Sequence, residues 1–588
     1  MQKERSVNRE TVPMFPNVPA HMCLTPTATS AWRSEKPSTS PDEIEHLLAR
    51  LKSRAPQWAA LDSEGRIHYL RACLDQLPAA APDWVSAAAG LKGGGDRVEI
   101  LGEEWIAGPT PVARNIGQLI EALESEAQPP PVALTTRRSG QRVATIFPAS
   151  LRERVMFPGF TGDVWIEPGR APSQGRFYRE PGSGGVLTVV LGAGNVTSIP
   201  LMDALYKLFV EGSVVVLKMH PLLASLGDPF ARAFQALADA GFFAIVYGDA
   251  ETGAALVNHP LVDAIHITGS ADTYDRIVWG SDPRERDARK ASRTPANSRT
   301  ITSELGCVTP IIVTPGEWSS DELAFQARHI ASMLVHNASH NCTAAQVLIT
   351  SSGWSQRREL LEVLQTTLTE LRPRVPFYPG SRRRYDEFVA RYAPSWTAES
   401  QSDRDVPWTM VEGVSPAGDP FAFQHELFCG ALIEVPLETD TADAFLDAAV
   451  RFANEKCWGT LSAVVLVDEV TKAESSHALD RAIESLRYGA IGINLWTGVM
   501  FGLVSPPWGA FPGSDPADIQ SGSGVVHNTF LFDHPQKSVF SAPFTMSPTP
   551  AWFPDHENLL ALGVALFQHE VHPTLARLVR VGWAALRG

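Results

Sequence analysis

Cysteine is scarce in this sequence. Only six of the 588 residues are cysteines, they lie far apart, and no CxxC pair occurs. Both a disulfide framework and a zinc ribbon need regularly spaced cysteines, so this scarcity excludes those two classes of protein. It is also typical of a reducing compartment, and we expect a cytoplasmic protein.

Long apolar runs and an excess of positive charge are also missing. No stretch reaches the roughly 18 apolar residues that span a bilayer. The N-terminus lacks the apolar core of a secretory signal, and Glu4 and Glu10 fit a mitochondrial presequence poorly. The chain has 65 acidic and 50 basic residues, which gives a net charge of −15. Because phosphate backbones require clustered Lys and Arg, we expect no nucleic-acid partner and no stable membrane insertion.

Apolar residues make up 44% of the chain, enough for several folded domains. Residues 1–40, rich in Pro, Ser and Thr, are predicted to be a flexible leader, followed by a helical stretch over Pro41–Leu77. The tail over Asn558–Arg587 is predicted to contain an amphipathic helix, with apolar residues such as Leu575, Val579 and Leu586 on one side. Such a helix packs on its own protein or a second subunit, which we favour, or touches a membrane surface.

Between residues 185 and 300, short apolar runs alternate with helical stretches. The four runs are Gly185–Leu191, Val214–Leu217, Ala244–Tyr247 and Ala264–Thr268. This alternation predicts a parallel sheet covered on both faces, and a second block of the same kind begins near Thr300.

Ligands bind at the carboxyl ends of such strands. The residues that follow the runs, and so reach that edge of the first sheet, are Asn195, Lys218, Gly248, Gly269 and Ser270.

Two residues could carry covalent chemistry. A lone cysteine such as Cys342 is usually a small buried hydrophobe, but its polar neighbours Ser339, His340 and Asn341 favour a nucleophile. Glu304, before a glycine turn, is either a solvated or capping acid or a general base that activates water.

Two residues of the first sheet could hold charge. Asn195 is either a turn residue or a hydrogen-bond donor to a developing oxyanion. Lys218 is either solvated or bound to phosphate or ribose oxygens. The aromatic residues Trp496, Phe501 and Trp508 either line an apolar entrance or pack in a core.

Taken in order, these stretches resemble the aldehyde dehydrogenase superfamily from about residue 185 to residue 515. The resemblance rests on residues 201–218 (LMDALYKLFVEGSVVVLK), 267–270 (ITGS), 304–306 (ELG), 341–343 (NCT), 425–430 (HELFCG) and 507–509 (PWG). It implies an α/β fold with two Rossmann-like parallel-sheet domains and a small β oligomerisation flap near residues 140–180, joined by a late strand near 528–543.

The resemblance also implies a mechanism. Cys342 would attack an aldehyde, Asn195 would stabilise the oxyanion, and Glu304 would activate the water that releases a carboxylic acid. The cofactor would be NAD or NADP, and no metal is expected. The residues implied to bind the cofactor are Lys218, Gly269, Ser270, Glu426 and Phe428. A homodimer or homotetramer acting on a small-molecule aldehyde is expected.

The chain departs from the common pattern of the family at several positions. Tyr274 replaces a frequent glycine, Pro221 replaces the glutamate of many NAD-dependent members, and Cys307 replaces a glycine. The usual aromatic beside the oxyanion asparagine is also missing, since Val196 follows Asn195. The preference between NAD and NADP therefore stays open.

Two rival functions stay open beside acid formation. A CoA-acylating aldehyde dehydrogenase or fatty acyl-CoA reductase shares the fold but generally lacks the water-activating glutamate, so Glu304 favours hydrolysis. A catalytically silent homologue is the other.

We expect five parts: a leader over 1–40, a helical region with the dinucleotide-binding domain over 41–300, a catalytic domain over 301–495, a return segment with the oligomerisation strand over 496–545, and a helical tail over 546–588.

Overall fold

The computed structural model describes residues 36–95, 97–180, 185–399 and 405–588. Residues 1–35 of the predicted leader therefore lie outside the described residues. Within the described ranges, no helix is long and apolar enough to cross a bilayer.

Four helices open the described part of the chain. They are α1 Pro41–Ala59, α2 Ser63–Leu91, α3 Val98–Ala107 and α4 Pro109–Glu124. The single predicted stretch is thus two helices, divided where Asp62 accepts a hydrogen bond from the Gly65 N–H and caps α2. Helix α2 continues through Pro78 and Pro82, which a helix interior disfavours by about 3 kcal/mol each. Burial of α2 residues such as Trp84 in the core opposes that penalty.

The first sheet has the order β17-β8-β7-β4-β5-β6. Its strands are β4 Val186–Leu191, β5 Ser213–Lys218, β6 Phe243–Val246, β7 Ala264–Gly269, β8 Thr300–Leu305 and β17 Gly522–Ser523. Strands β4 to β8 are parallel, and β17 is antiparallel to β8. The helices beside it are α7 Ile199–Phe209, α8 Gly227–Ala233, α9 Gln235–Asp239, α10 Ala250–Asn258, α11 Ala271–Trp279 and α12 Pro283–Ser292. The four predicted strands correspond to β4 to β7, and their parallel pairing is confirmed.

The second sheet has eleven strands in the order β1-β2-β3-β19-β15-β14-β9-β10-β13-β12-β11. The strands β19 to β12 in this order run parallel. They are β9 Thr309–Val313, β10 Ala345–Ser351, β12 Thr409–Val411, β13 Ala431–Leu437, β14 Ser462–Leu466, β15 Ala490–Ile493 and β19 Pro535–Ser541, and β11 Trp396–Thr397 closes the edge.

The antiparallel flap extends this second sheet. Its strands are β1 Ala133–Thr136, β2 Arg142–Phe147 and β3 Thr161–Ile166, with the short helix α5 Leu151–Met156 between the last two and α6 Arg176–Arg179 after them. Strand β3 pairs with β19, so the predicted late strand is the one that joins the flap to the sheet. The predicted class, α/β with two parallel-centred sheets and a β flap, is confirmed.

The helices of the second half are α13 Ser320–Val335, α14 Arg357–Glu370, α15 Ser381–Arg391, α16 Phe421–Gln424, α17 Ala442–Lys456, α18 Glu469–Glu474, α19 Ser476–Ser485 and α20 Thr497–Leu503. Strands β16 Pro507–Trp508 and β18 Val526–His527 form a separate pair. The last two helices, joined by residues 572–574, are α21 Leu559–Val571 and α22 Leu575–Ala585. Only residues 306–308 separate β8 of the first sheet from β9 of the second, so the end of β8 lies where the two sheets meet.

Candidate active site

Cys342 and Glu304 come from different sheets and meet between them. Glu304 lies near the carboxyl end of β8, whereas Cys342 lies in the loop that precedes β10. The Cys342 thiol donates a hydrogen bond to Glu304 Oε1 over 3.4 Å between the heavy atoms. The structure therefore brings the predicted nucleophile and the predicted base into direct contact.

Burial sets the protonation of this pair. Glu304 is 3% exposed, and burial, assisted by the Asp203 carboxylate, raises its pKa to about 7. Burial and the Glu304 and Glu426 carboxylates hold the pKa of the Cys342 thiol well above its ordinary value. The resting pair is thus a neutral thiol beside a carboxyl group that titrates near neutrality.

Trp508 lies beside this pair. Its side chain interacts with the Glu304 carboxylate and lowers the Glu304 pKa against the larger effect of burial, although Glu304 Oε2 and Trp508 Nε1 make no hydrogen bond of normal geometry among the described residues. Buried polar atoms of this kind are commonly satisfied by ordered water. Oε2 is therefore the carboxylate oxygen that is available to water, because the thiol faces Oε1.

The loop before Cys342 has a strained backbone. Asn337, Ala338 and Ser339 have φ angles of 55°, 54° and 66° in succession. Left-handed conformations disfavour non-glycine residues, so a run of three persists only where surrounding contacts hold it. Such strain is frequent at functional sites.

Asn337 supplies much of that support. Its side-chain amide donates to the Asn195 carbonyl at 3.1 Å and to the His340 carbonyl at 2.9 Å. Its backbone N–H donates to the buried Glu103 carboxylate of α3 at 3.1 Å. Sequence reasoning missed both Asn337 and Glu103, because only the folded chain places residues from α3 beneath this loop.

Asn195 also lies against the cysteine loop. Its side-chain Nδ2 donates to the carbonyl of His340, two residues before Cys342, at 3.0 Å. An amide nitrogen carries two N–H groups, and this bond uses one of them. The predicted oxyanion donor is therefore brought next to the predicted nucleophile.

Glu426 closes the site from the second sheet. Its Oε1 accepts a hydrogen bond from the Cys307 backbone N–H at 3.2 Å, and burial raises its pKa to about 7. A Cβ at Gly306 would lie 2.4 Å from Glu426 Oε2. Only glycine at 306 lets this carboxylate approach the turn after β8.

Two side chains that sequence reasoning missed hold the segment around Glu426. Gln346 Nε2 donates to the His425 carbonyl at 2.7 Å, and its Oε1 accepts from the Leu427 N–H at 2.8 Å. Arg384 donates to the carbonyls of Leu427 and Phe428 at 2.8 and 3.2 Å. Both are ordinary polar residues in the sequence, and no motif signal marks them.

Lys218, Gly269 and Ser270 lie at the carboxyl edge of the first sheet. Lys218 ends β5, is 8% exposed, and has a pKa lowered by burial. Ser270 caps α11, since its hydroxyl accepts from the Thr273 N–H at 3.2 Å. The N-terminus of a helix at the end of a strand is a favourable place for an anion such as phosphate.

An aromatic side chain lies between these two groups of residues. The Tyr378 ring is 6.0 Å from the His220 ring, two residues after Lys218, and 5.0 Å from the Phe428 ring, measured between centroids. It also lies 5.8 Å from the ring of His340. Tyr378 therefore stands between the carboxyl end of β5 and the segment that carries Glu426.

The substituted position Tyr274 is not in this cleft. It is 4% exposed and packs in a small apolar cluster that includes Ile267, Val278 and Leu305. The bulk that replaces the family's glycine is thus absorbed by the protein interior beneath β7 and β8.

A large cavity reaches Cys342 from the opposite side. Its volume is about 2190 Å³, and its wall includes Val196, Ile199, Trp496, Phe501 and Trp508. Ordinary ligand pockets measure about 300–1,000 Å³. Trp496, Phe501 and Trp508 therefore line a cavity and also pack in or against the hydrophobic core. Lys218, Gly269, Ser270, Glu426 and Phe428 are not among its wall residues.

The family model described as "Aldehyde dehydrogenase family" matches residues 171–381, which include Asn195, Glu304 and Cys342. Over this segment the chain is similar to the aldehyde dehydrogenase family, and the sequence-based resemblance is thereby confirmed for these residues. None of the curated protein sequences matches the chain.

Solved aldehyde dehydrogenases share the fold of this chain. A putative aldehyde dehydrogenase from Burkholderia cenocepacia has a TM-score of 0.56 at 18% identity, over 85% of this chain and 91% of that one. An NADP-dependent glyceraldehyde-3-phosphate dehydrogenase from Bacillus halodurans, complexed with NADP, has a TM-score of 0.56 at 18% identity, over 86% and 92%. A mutant aldehyde dehydrogenase C from Pseudomonas syringae, with NAD+ and octanal, has a TM-score of 0.55 at 16% identity, over 87% and 91%.

Proposed function

We propose that this protein oxidises an aldehyde to a carboxylic acid, with Cys342 as nucleophile, Glu304 as general base and NAD or NADP as hydride acceptor. The observation that carries the proposal is the 3.4 Å contact between the Cys342 thiol and the Glu304 carboxylate at the wall of a large cavity. A buried acid with a raised pKa beside a potential nucleophile is the arrangement that acid–base catalysis requires.

The first step uses the resting contact. Glu304 takes the thiol proton, and the Cys342 sulfur bonds to the carbonyl carbon to form a thiohemiacetal. The remaining N–H of the Asn195 amide stabilises the oxygen as it gains charge, and one such donor is typically worth about 3 kcal/mol. A nicotinamide dinucleotide, when bound, would supply the hydride acceptor for this carbon, and Cys342 would then hold the acyl group as a thioester.

The second step uses the free carboxylate oxygen. After Glu304 has released the thiol proton to solvent, its carboxylate removes a proton from water and the water oxygen attacks the thioester. The carbon–sulfur bond then breaks, and Glu304 returns the proton to the sulfur, which regenerates the thiol. The balance is aldehyde, water and oxidised cofactor giving acid, reduced cofactor and a proton. Glu304 Oε2 makes no hydrogen bond of normal geometry among the described residues, which supports this role because the atom can accept a proton from water.

The residues present fit a dinucleotide in their chemistry. Lys218 offers an ammonium group, Ser270 marks the N-terminus of α11, and Glu426 offers acceptors for ribose hydroxyls. Solved relatives of the same fold contain NADP and NAD+. We assign Phe428 to the same site, and Gly269 keeps the end of β7 free of a side chain.

Tyr378 is expected to oppose cofactor binding. Its ring lies between His220 and Phe428, so it must move before a ligand can extend from Lys218 to Glu426. Replacing Tyr378 by alanine is expected to lower the Kd for NAD+ or NADP+ about tenfold, since the displaced ring no longer has to leave its contacts. Titration calorimetry measures this, with Phe377→Ala as the matched control. An unchanged or weaker Kd in the Tyr378 variant contradicts this account.

Turnover assays test the proposed function directly. Aldehydes of increasing chain length should reduce NAD+ or NADP+ without CoA, and the product should be the free acid by mass spectrometry. Glu304 beside the thiol favours water over CoA as acyl acceptor. Faster turnover of acyl-CoA with NADH or NADPH would establish the CoA-dependent reaction instead. No turnover, together with no binding of either cofactor, would establish a silent homologue.

We further propose the five-part division of the chain given above and assembly into a homodimer or homotetramer through the flap. The division is supported by the crossing between sheets at residues 306–308, and the flap presents the outer strand β1 of the second sheet.

A further inference from the structure

The last helix, α22, leaves an apolar stripe uncovered. Leu575, Val579, Trp583 and Leu586 are 77%, 52%, 60% and 69% exposed. Their spacing of four, four and three residues places them on one face of the helix. The opposite face packs on α21 through Val581 and Ala584. The packing predicted from the sequence therefore occurs, but on the face opposite to the predicted apolar side.

Basic residues accompany this stripe. The 18 residues after Glu570 contain three arginines and no acid, in a chain whose net charge is −15. Arg580 and Arg587 are exposed, and the Arg587 guanidinium lies 5.5 Å from the centre of the Trp583 ring. Arg577 donates to the Gln568 and His572 carbonyls at the end of α21, and Arg580 Nη1 donates to the Gln568 side-chain oxygen at 3.3 Å.

A second helix, α5, packs on the same cluster. Met156 of α5 packs against the cluster formed by α21 and α22. The exposed side of α5 carries Leu151 and Val155, which are 77% and 62% exposed, and Arg154. Two short helices thus present exposed apolar side chains together with arginines.

This surface opens into the cavity that reaches Cys342. Trp583, Arg580 and Arg587 are part of the cavity wall, as are apolar residues of α21 such as Leu560 and Val564. Glu557 also contributes to the wall, as an acid near this rim. A mostly apolar passage therefore connects the exposed stripe with the nucleophile.

We propose that α22, with α5, docks on an anionic lipid bilayer surface. A helix with Trp and Leu on one face and arginines beside them lies in the interface between headgroups and acyl chains, and anionic lipids attract the arginines. The docked surface would place the cavity mouth on the lipid, so that a long-chain aldehyde passes from the membrane to Cys342. Passage of the aldehyde to Cys342 rests on the proposed function, whereas docking on the bilayer does not.

Vesicle flotation of the full-length protein tests the docking. The protein should float with vesicles of equal parts phosphatidylcholine and phosphatidylglycerol, and not with phosphatidylcholine alone, and added salt should weaken the binding. The double variant Leu575→Ser with Val579→Ser should bind about tenfold more weakly, because two apolar side chains no longer enter the lipid. The matched control is Val470→Ser, a valine of α18 that is 67% exposed.

A charge reversal supplies an independent variant. Arg580→Glu with Arg587→Glu should weaken binding to the anionic vesicles at least about tenfold, since each basic residue near such a surface adds about fivefold. Arg358→Glu on α14, where the side chain is 88% exposed, is the matched control. Circular dichroism confirms that each variant is folded.

The outcomes separate docking from catalysis and from self-association. Leu575 and Val579 are not among the cavity wall residues, so their variant should oxidise a short water-soluble aldehyde at the wild-type rate and a vesicle-borne long-chain aldehyde more slowly. Equal flotation with both kinds of vesicle, or flotation unaffected by either double variant, overturns the proposal. Variants that dissociate an oligomer in light scattering without changing flotation identify α22 as a subunit interface and also overturn it. Absence of turnover with flotation intact would refute only the proposed function.

Discussion

Replacing Cys342 by serine is expected to lower turnover by at least about a thousandfold, because a nucleophile that forms the covalent intermediate cannot be bypassed by the remaining groups. Glu304 can accept the proton of a thiol more readily than that of an alcohol, so the hydroxyl would remain unactivated. Cofactor affinity should stay near the wild-type value, since Lys218, Ser270 and Glu426 are untouched. Steady-state rates and titration calorimetry measure the two effects.

Cys307 provides the control for this experiment. It is 2% exposed, and its thiol lies 3.8 Å from the Ser462 carbonyl. Cys307→Ala should keep turnover within a few-fold of the wild type. Alkylation followed by mass spectrometry should label Cys342, and an aldehyde should protect it. Loss of activity in the Cys307 variant with full activity in the Cys342 variant would reverse the assignment.

Replacing Glu304 by glutamine is expected to slow the first turnover of cofactor, because the side chain no longer accepts the Cys342 proton, and to block the next turnover. Hydride transfer precedes hydrolysis, so reduced cofactor should appear as a burst equal to the concentration of enzyme, and the acyl group should then remain on Cys342. General-base removal typically lowers the steady rate by about 10²–10⁴-fold. Stopped-flow absorbance records the burst, and intact mass records the thioester. A full multiple-turnover rate would exclude Glu304 as the base for water.

The same substitution predicts a change in pH dependence. Glu304 acts as a base only when ionised, and its pKa is raised to about 7. The wild-type rate should therefore rise with pH up to about 7 and level off above it. The apparent pKa of this profile belongs to the coupled thiol–carboxyl pair. The Glu304→Gln variant should lack this rise. Measured pH–rate profiles of the wild type and the Glu304→Gln variant test this difference, and a rise near pH 7 in both would contradict the role of Glu304.

The rate should rise with pH, whereas ionisation of Glu304 should lower the free energy of unfolding as pH rises. A carboxyl whose pKa is about 7 in the folded state, against 4.5 ordinarily, binds its proton more tightly when folded. Its ionisation therefore destabilises the fold increasingly as pH rises from about 4.5, and fully above pH 7. Glu304→Gln should raise the free energy of unfolding by up to about 3 kcal/mol at pH 8 and change it little below pH 4.5. Thermal melts at both pH values measure the difference.

The strands were predictable because their signal is local. Each run from Gly185–Leu191 to Ala264–Thr268 is a short apolar segment bounded by turn residues, and burial on both faces demands that pattern. The helices between residues 78 and 124 have no such local signal, since Pro78 and Pro82 indicate a break in the helix. Packing of residues such as Trp84 overrides that local preference.

The candidate site was predictable in its identities but not in its supports. Cys342, Glu304, Asn195 and Glu426 stand in recognisable short motifs. Gln346, Arg384 and Asn337 stand in none, and their importance follows from carbonyls that they bind across the fold. The departure at Tyr274 drew attention in the sequence, whereas the ring that lies in the cleft belongs to Tyr378.

The sequence by itself determined the α/β class, the parallel strands of the first sheet and the residue types able to carry the chemistry, because apolar periodicity and short motifs are properties of neighbouring residues. The tertiary structure alone decided that the Cys342 thiol faces Glu304 at 3.4 Å, that burial raises the Glu304 pKa to about 7, and that α22 turns its apolar stripe outward. Desolvation, hydrogen bonding and exposure depend on which distant segments meet, and no local pattern contains that information.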